Sequence, residues 1–293
     1  MNKIRNFIFL SFGLTWMIWL LIWLLGIKLG EPIIQVGTVL AMWMPALAYF
    51  IMRKIEPGHY PLKAGFKITF RKNWKYYLLA IWLPAFLTVL GAGLYFLIFR
   101  SQFSLEFASV EDMLKAVRAE PQGVPLGLIA IFQVIAAVTY GPIINTFFAL
   151  GEEIGWRGYL YPAFREKFSS LYSHLLTGLI WSLWHLPLNL QGYNFGSTYW
   201  GVPWLGLVAM FVFCFSIGVL LSFMMEKTGS LWAPALLHGA VNASAGLGIL
   251  FQIPSEQALS LRILGPTPLG LFSGLPFVIV ALIILFKRKD SQL

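Results

Sequence analysis

Residues 125 to 150 run from Pro125 to Leu150 without one charged side chain. About 20 apolar residues in a helix cross the ~30 Å hydrocarbon core of a bilayer, so this run alone directs the chain toward a membrane. Seven further uncharged, mainly apolar runs occur at about 6–27, 33–52, 76–99, 172–190, 203–225, 231–251 and 267–286. With 58% hydrophobic and 11% charged residues, the chain has the composition of a polytopic helical membrane protein, not of a soluble domain. Short strand-like alternation of the outer-membrane barrel type is absent. The expected fold is all-α, a bundle of about eight transmembrane helices forming one domain over residues 1–293, with no repeat or linker. The fifth and seventh spans are short and hold prolines and polar groups, which marks them as kinked or cavity-lining.

The net charge of +9 raises nucleic acid as a partner, but most basic residues flank apolar runs, so lipid is the expected partner and nucleic acid is not. The N-terminus, the even-numbered loops and the C-terminal tail hold 16 Lys and Arg, and the odd-numbered loops hold 5. Both termini are therefore expected to be cytoplasmic. The second loop, about 53 to 75, is the most basic and reads as an anchor on anionic lipid. In the third loop, residues 107 to 117 form an amphipathic piece suited to the outer interface. The first apolar run follows Lys3 and Arg5 but is too long for a signal peptide and lacks a cleavage site, so it is expected to be a retained span. Cys214 is the single cysteine, which excludes an intrachain disulfide and a Cys-rich zinc site.

Directly after the fourth apolar run comes Gly151-Glu152-Glu153-Ile154-Gly155-Trp156-Arg157. Charges at membrane depth cost about 3 kcal/mol each on insertion scales and are functional by default. On a continuous helix Glu153 and Arg157 are one turn apart and can pair, whereas Glu152 points about 100° away. One acid is then held by a structural partner and its neighbour is left for chemistry. His185 lies deep in the fifth run, and His238 and Asn242, spaced i and i+4, share one face of the seventh. His59 and His174 read as solvated or interfacial, and Glu226 and Lys227 as an interfacial pair. Taken singly, an intramembrane His or Asn can be interhelical glue. Together, three spans poor in ionisable groups each contribute an acid, a base or an amide, and a shared water-accessible cavity satisfies them all.

Glu and His around a water are the parts of a general-base hydrolase, and a second His with an Asn amide supplies donors for an oxyanion. The same set fits a metal site, with Glu152, His185 and His238 as ligands to a zinc ion and water fourth. No His-Glu-x-x-His signature is present, and the residues alone do not choose between these mechanisms. Ser182, Ser244 and Cys214 are weak nucleophile candidates, with no Gly-x-Ser-x-Gly elbow and no Asp partner for either histidine. Asn189, one turn past His185, is a further candidate for the cavity wall.

These residues resemble the CPBP intramembrane proteases, the group of type II CaaX prenyl proteases and bacteriocin-processing, Abi-like proteins. The family's Glu-Glu-x-x-x-Arg motif is matched by Glu152, Glu153 and Arg157, its aromatic-x-x-x-His motif by Trp181 and His185, and its His-x-x-x-Asn motif by His238 and Asn242. Trp181 stands where the family more often has Phe. The likeness covers about residues 120 to 250, in order and in spacing, and implies the catalytic core there. It implies that Glu152 activates water with His185, that His238 and Asn242 stabilise the oxyanion, and that Glu153, Arg157 and Trp181 order the site. A peptide or membrane-protein substrate in the plasma (inner) membrane of a bacterium is expected, and because the acid pair ends a span whose exit is cytoplasmic by the charge count, the cut is expected near the cytoplasmic face. The runner-up is a non-catalytic immunity or scaffold protein of the same fold. A transporter with a Glu and His proton relay fits the ionisable groups but lacks an inverted repeat.

Overall fold

The structure, a computed structural model, describes residues 2–55, 65–117, 119 and 121–289. Helices dominate throughout: α1 (Asn2–Leu24), α2 (Pro32–Ile55), α3 (Phe70–Ile98), α4 (Ala108–Ala116), α5 (Leu126–Val138), α6 (Tyr140–Gly155), α7 (Tyr161–Arg165), α8 (Ser170–Trp184), α9 (Leu186–Leu190), α10 (Trp204–Thr228), α11 (Trp232–Ser244), α12 (Glu256–Ser260) and α13 (Leu275–Lys289). Among the described residues no strand forms, only two isolated bridges, and the all-α bundle expected from the sequence is what is found.

The span count needs revision. All eight predicted runs contain helix, but among the described residues five helices are long and apolar enough to cross a membrane, and six if α5 and the helix that follows it are taken as one bent span. The bend between them is 51°. It falls at Thr139, which has φ −117° and ψ −90°, three residues before Pro142. That proline lacks an N–H and its ring clashes with the carbonyl four residues back. The remaining two, α8 and α13, have 15 residues each, about 22 Å at 1.5 Å per residue, short of the hydrocarbon core. Pro187 accounts for the first: α8 stops at Trp184 and α9 restarts at Leu186, with His185 at the joint.

The run of acids does not end its helix. α6 passes through one π-helical turn, Trp156–Leu160, and continues as α7 to Arg165. π-Turns occur mostly as single insertions near functional sites, and this one carries Arg157. The charged helix end at Arg165 therefore lies about 20 Å beyond Glu152, so the acid pair sits inside a longer helix and does not end it. Arg157, counted above as a loop charge, is fully buried.

α6 sits between α2 and α11, its main packing partners, and glycines set the spacing. A Cβ on Gly151 would come within 2.6 Å of the Met42 carbonyl oxygen, and one on Gly155 within 2.5 Å of Pro45 Cβ. On the α11 side, a Cβ on Gly239 would come within 2.6 Å of the Thr146 nitrogen. Small residues at four-residue spacing let membrane helices approach backbone to backbone, and Gly151 and Gly155 bracket the two acids. α1 secures the far end of α8, with Trp16 Nε1 donating to the Trp184 carbonyl at 3.1 Å and Trp184 Nε1 donating to Thr15 Oγ1 at 2.8 Å.

Smaller expectations meet mixed outcomes. The amphipathic stretch 107–117 contains α4, as its pattern implies. His174 is not solvated; it is buried and stacked on Tyr161 at 4.5 Å between ring centroids. Glu226 accepts from the Tyr161 hydroxyl at 3.2 Å while Lys227 lies over the Phe223 ring, so these neighbours face different partners. Cys214 is buried with its thiol 3.6 Å from Met210 Sδ. His59 lies outside the described residues.

Gly155→Ala adds a methyl that α2 must move to admit, at a cost of about 1–3 kcal/mol. Its unfolding midpoint in detergent should fall, while Gly93→Ala, whose methyl meets nothing within 4 Å, should leave it unchanged or higher; equal midpoints would contradict this packing.

Candidate active site

Glu152, Trp181, His185, His238 and Asn242 line one cavity of about 390 Å³. They arrive from α6, the α8–α9 joint and α11, so segments far apart in sequence converge as the polar groups require. Gln35 and Thr38 of α2, Asn145 of α6, and Tyr193 and Asn194 beyond α9 complete its polar wall. Asn189 is absent from that wall; its Oδ1 instead accepts from Asn194 Nδ2 at 2.6 Å, so it supports a residue that lines the cavity. Ser182 and Ser244 donate to main-chain carbonyls of their own helices.

The two acids have separate environments. Glu152 is 2% exposed, and its Oε2 accepts from Trp181 Nε1 at 2.7 Å and from Trp156 Nε1 at 3.3 Å. Two indole donors on one oxygen fix the carboxylate plane and leave Oε1 free of protein donors on the cavity side. Glu153 is fully buried behind the cavity. Its Oε1 receives Arg157 Nη1 at 3.2 Å, the expected i,i+4 pair, and also His238 Nδ1 at 2.8 Å. The Arg157 guanidinium lies 4.3 Å from the centroid of the Trp181 ring, a cation–π contact removed from water.

Both histidines are oriented through Nδ1. For His185 that nitrogen is 2.8 Å from the Trp181 carbonyl oxygen. A carbonyl only accepts, so Nδ1 carries the proton and the neutral ring presents its Nε2 lone pair. For His238 the Glu153 carboxylate plays the same part. Trp181 thus touches four of these residues: its N–H holds Glu152, its face holds Arg157, its carbonyl holds His185, and its ring meets His238 edge-on at 5.4 Å.

The sequence reading missed the His238–Glu153 bond, because a contact 85 residues apart leaves no local signal. It also missed the Trp156 donor, which sits four residues after Glu152 and was in principle readable as an i,i+4 pair. As for a metal, the three candidate ligands Glu152, His185 and His238 share the cavity, yet among the described residues no group of three or more His, Cys, Asp or Glu is spaced to hold an ion.

An integral membrane protein with a buried acid–histidine cavity is the class that fold and site define. Residues 126–244 match the family model described as type II CAAX prenyl endopeptidase Rce1-like. A protein of Methanococcus maripaludis described as CAAX prenyl protease 2 is 26% identical over 140 residues, 47% of this chain and 46% of that relative. The match thus spans a little under half the length of either protein. Both findings bear out the resemblance to the CPBP family, and all three motifs, Glu152 to Asn242, fall inside the matched region.

Removing Arg157 leaves Glu153 buried with a histidine as its remaining partner. Breaking a buried pair this way typically costs about 3–5 kcal/mol, so Arg157→Ala should unfold at a clearly lower temperature. Arg157→Lys should recover only part of the loss, since an ammonium lacks the planar face that stacks on Trp181. An unchanged midpoint in the Ala variant would contradict the pair.

Proposed function

We propose that this protein is an intramembrane endopeptidase that hydrolyses a peptide bond with a water activated by Glu152 and His185. The observation that carries this reading is the division of labour in the site. Glu152, His185, His238 and Asn242 face one cavity, while Glu153 and Arg157 are spent on each other and on His238 outside it. Water held between Glu152 Oε1 and His185 Nε2 gives a proton to Glu152 as its oxygen attacks the scissile carbonyl carbon. The oxyanion so formed accepts from His238 Nε2–H, on a ring that Glu153 holds through Nδ1, and from the Asn242 amide, which forms no other hydrogen bond among the described residues. Glu152 then returns the proton to the leaving nitrogen as the C–N bond breaks, so atoms and charge balance. A general base of this kind contributes about 10²- to 10⁴-fold.

Water activation is assigned to the carboxylate, since among the described residues no group of three or more His, Cys, Asp or Glu is spaced to hold an ion. The Lys and Arg bias supports cytoplasmic termini, and it survives the removal of Arg157 from the count, which leaves 15 basic residues against 5. The substrate is a peptide or membrane-associated protein reached from that side. The relative's printed description names a CAAX prenyl protease, and the likeness of the two cores supports a proteolytic reading here. The runner-up, a non-catalytic immunity or scaffold role, predicts no dependence on Glu152.

A survey of terminal peptides in membranes from cells expressing the wild type or Glu152→Ala tests this. New peptide ends that require Glu152 are expected, and purified protein in vesicles should cut those sequences equally with and without EDTA. Matching profiles from equally abundant folded proteins would overturn the protease reading, and EDTA inhibition reversed by zinc would overturn the metal-free mechanism.

A further inference from the structure

Asn145 belongs to no motif, yet it lines the same cavity as Glu152. It stands seven residues before Glu152 on α6, within about 20° of two full turns, so both side chains leave one helix face about 10.5 Å apart along the axis. Its amide is oriented without ambiguity. Nδ2 donates to the Gly141 carbonyl at 2.9 Å, and since a carbonyl only accepts, Oδ1 is the atom left over. Among the described residues no protein donor reaches that oxygen.

α11 crosses α6 closely at this level. Gly239 of α11 lies against the backbone of Pro142, Asn145 and Thr146, and a Cβ on Gly141 would come within 3.1 Å of Ala243 Cβ. Asn242, between these two contacts on α11, also lines the cavity and makes no side-chain hydrogen bond among the described residues. The cavity wall on α6 therefore offers an oriented acceptor about two turns before the Glu152 carboxylate. Neither a lysine nor an arginine lines the wall among the described residues, so this acceptor suits a neutral polar group.

We propose that Asn145 is a substrate-binding residue whose Oδ1 accepts a main-chain N–H of an extended peptide, about three residues from the bond that is cut. This rests on the protease reading. The distance sets the register: an extended chain advances about 3.3 Å per residue, so 10.5 Å from Glu152 corresponds to three residues. An unpaired main-chain N–H at membrane depth is costly, and Asn145 supplies its partner while Asn242 serves the oxyanion. Asn145 thereby selects peptides that are extended and long enough to reach it.

The test uses quenched fluorescent peptides built on a Glu152-dependent cut found in the membrane survey, with purified protein in lipid vesicles. One peptide spans the site fully, one stops two residues from the scissile bond on either side, and two carry an N-methyl group on the third residue, one on each side. Asn145→Leu should raise KM about five- to ten-fold on the full peptide, the scale of one neutral hydrogen bond, with little change in kcat. The short peptide should show no difference between variant and wild type. One N-methylated peptide should cost the wild type as much as Asn145→Leu does, with no further loss when the two are combined. An equal effect of Asn145→Leu on full and short peptides, additive losses with both N-methylated peptides, or an unchanged KM would overturn the assignment. A kcat loss on every peptide with a lowered unfolding midpoint would mark Asn145 as structural and overturn it too. If Glu152→Ala abolishes no cut at all, the protease reading itself fails, whatever Asn145 does.

Discussion

The carboxylate of Glu153 is shared, and the site is arranged around that sharing. One oxygen takes both Arg157 from the π-turn one helical turn on and His238 from α11. Arg157 in turn lies on the Trp181 ring of α8. A single buried charge thus ties together α6, α8 and α11, the helices that carry the cavity residues. Inside a bilayer there is no water to take over a lost partner, so each bond in this set depends on the others being made. The cost of bringing Glu153 and Arg157 out of water is repaid only by that geometry. The product is a fixed place for Glu152.

Glycines do for the backbone what the ion pair does for the side chains. Lipid tails are as apolar as leucine, so membrane helices gain little from hydrophobic contact with one another and associate through close packing and polar contacts. Gly151 and Gly155 bring α6 onto α2, and Gly239 brings α11 onto α6. Glu152 and Glu153 therefore sit on the most tightly enclosed stretch of the bundle, one directed to the cavity and one to its support. A helix-breaking joint places the last member. Pro187 ends α8 so that His185, at the joint, can hang its ring from the Trp181 carbonyl.

Much of this was readable in the residues. An acid pair in an apolar run, the four-residue step to Arg157, and the same step from His238 to Asn242 are local patterns, and local patterns survive into the fold. The convergence of the three spans followed from the demand that intramembrane polar groups find partners. Long-range partners were not readable: His238 looked like a group aimed only at the oxyanion, whereas its other nitrogen belongs to Glu153. Charges misled the boundaries, since Arg157 reads as the start of a loop until its burial is known. His174 shows the same failure from the other side, a polar side chain at the edge of an apolar run that is buried against an aromatic ring. The eight runs were all helical, but run length alone could not tell spanning helices from the shortened α8 and α13.

The account's central claim is that Glu152 accepts a proton from water while Glu153 does not take part in the chemistry. Glu152→Gln keeps the size and an oxygen for both indoles but has no basic oxygen. Measured on a purified protein in vesicles with a peptide that the wild type cuts, it should retain binding while cleavage falls about 10²-fold or more. Cleavage at the wild-type rate by a folded Glu152→Gln protein would contradict the account.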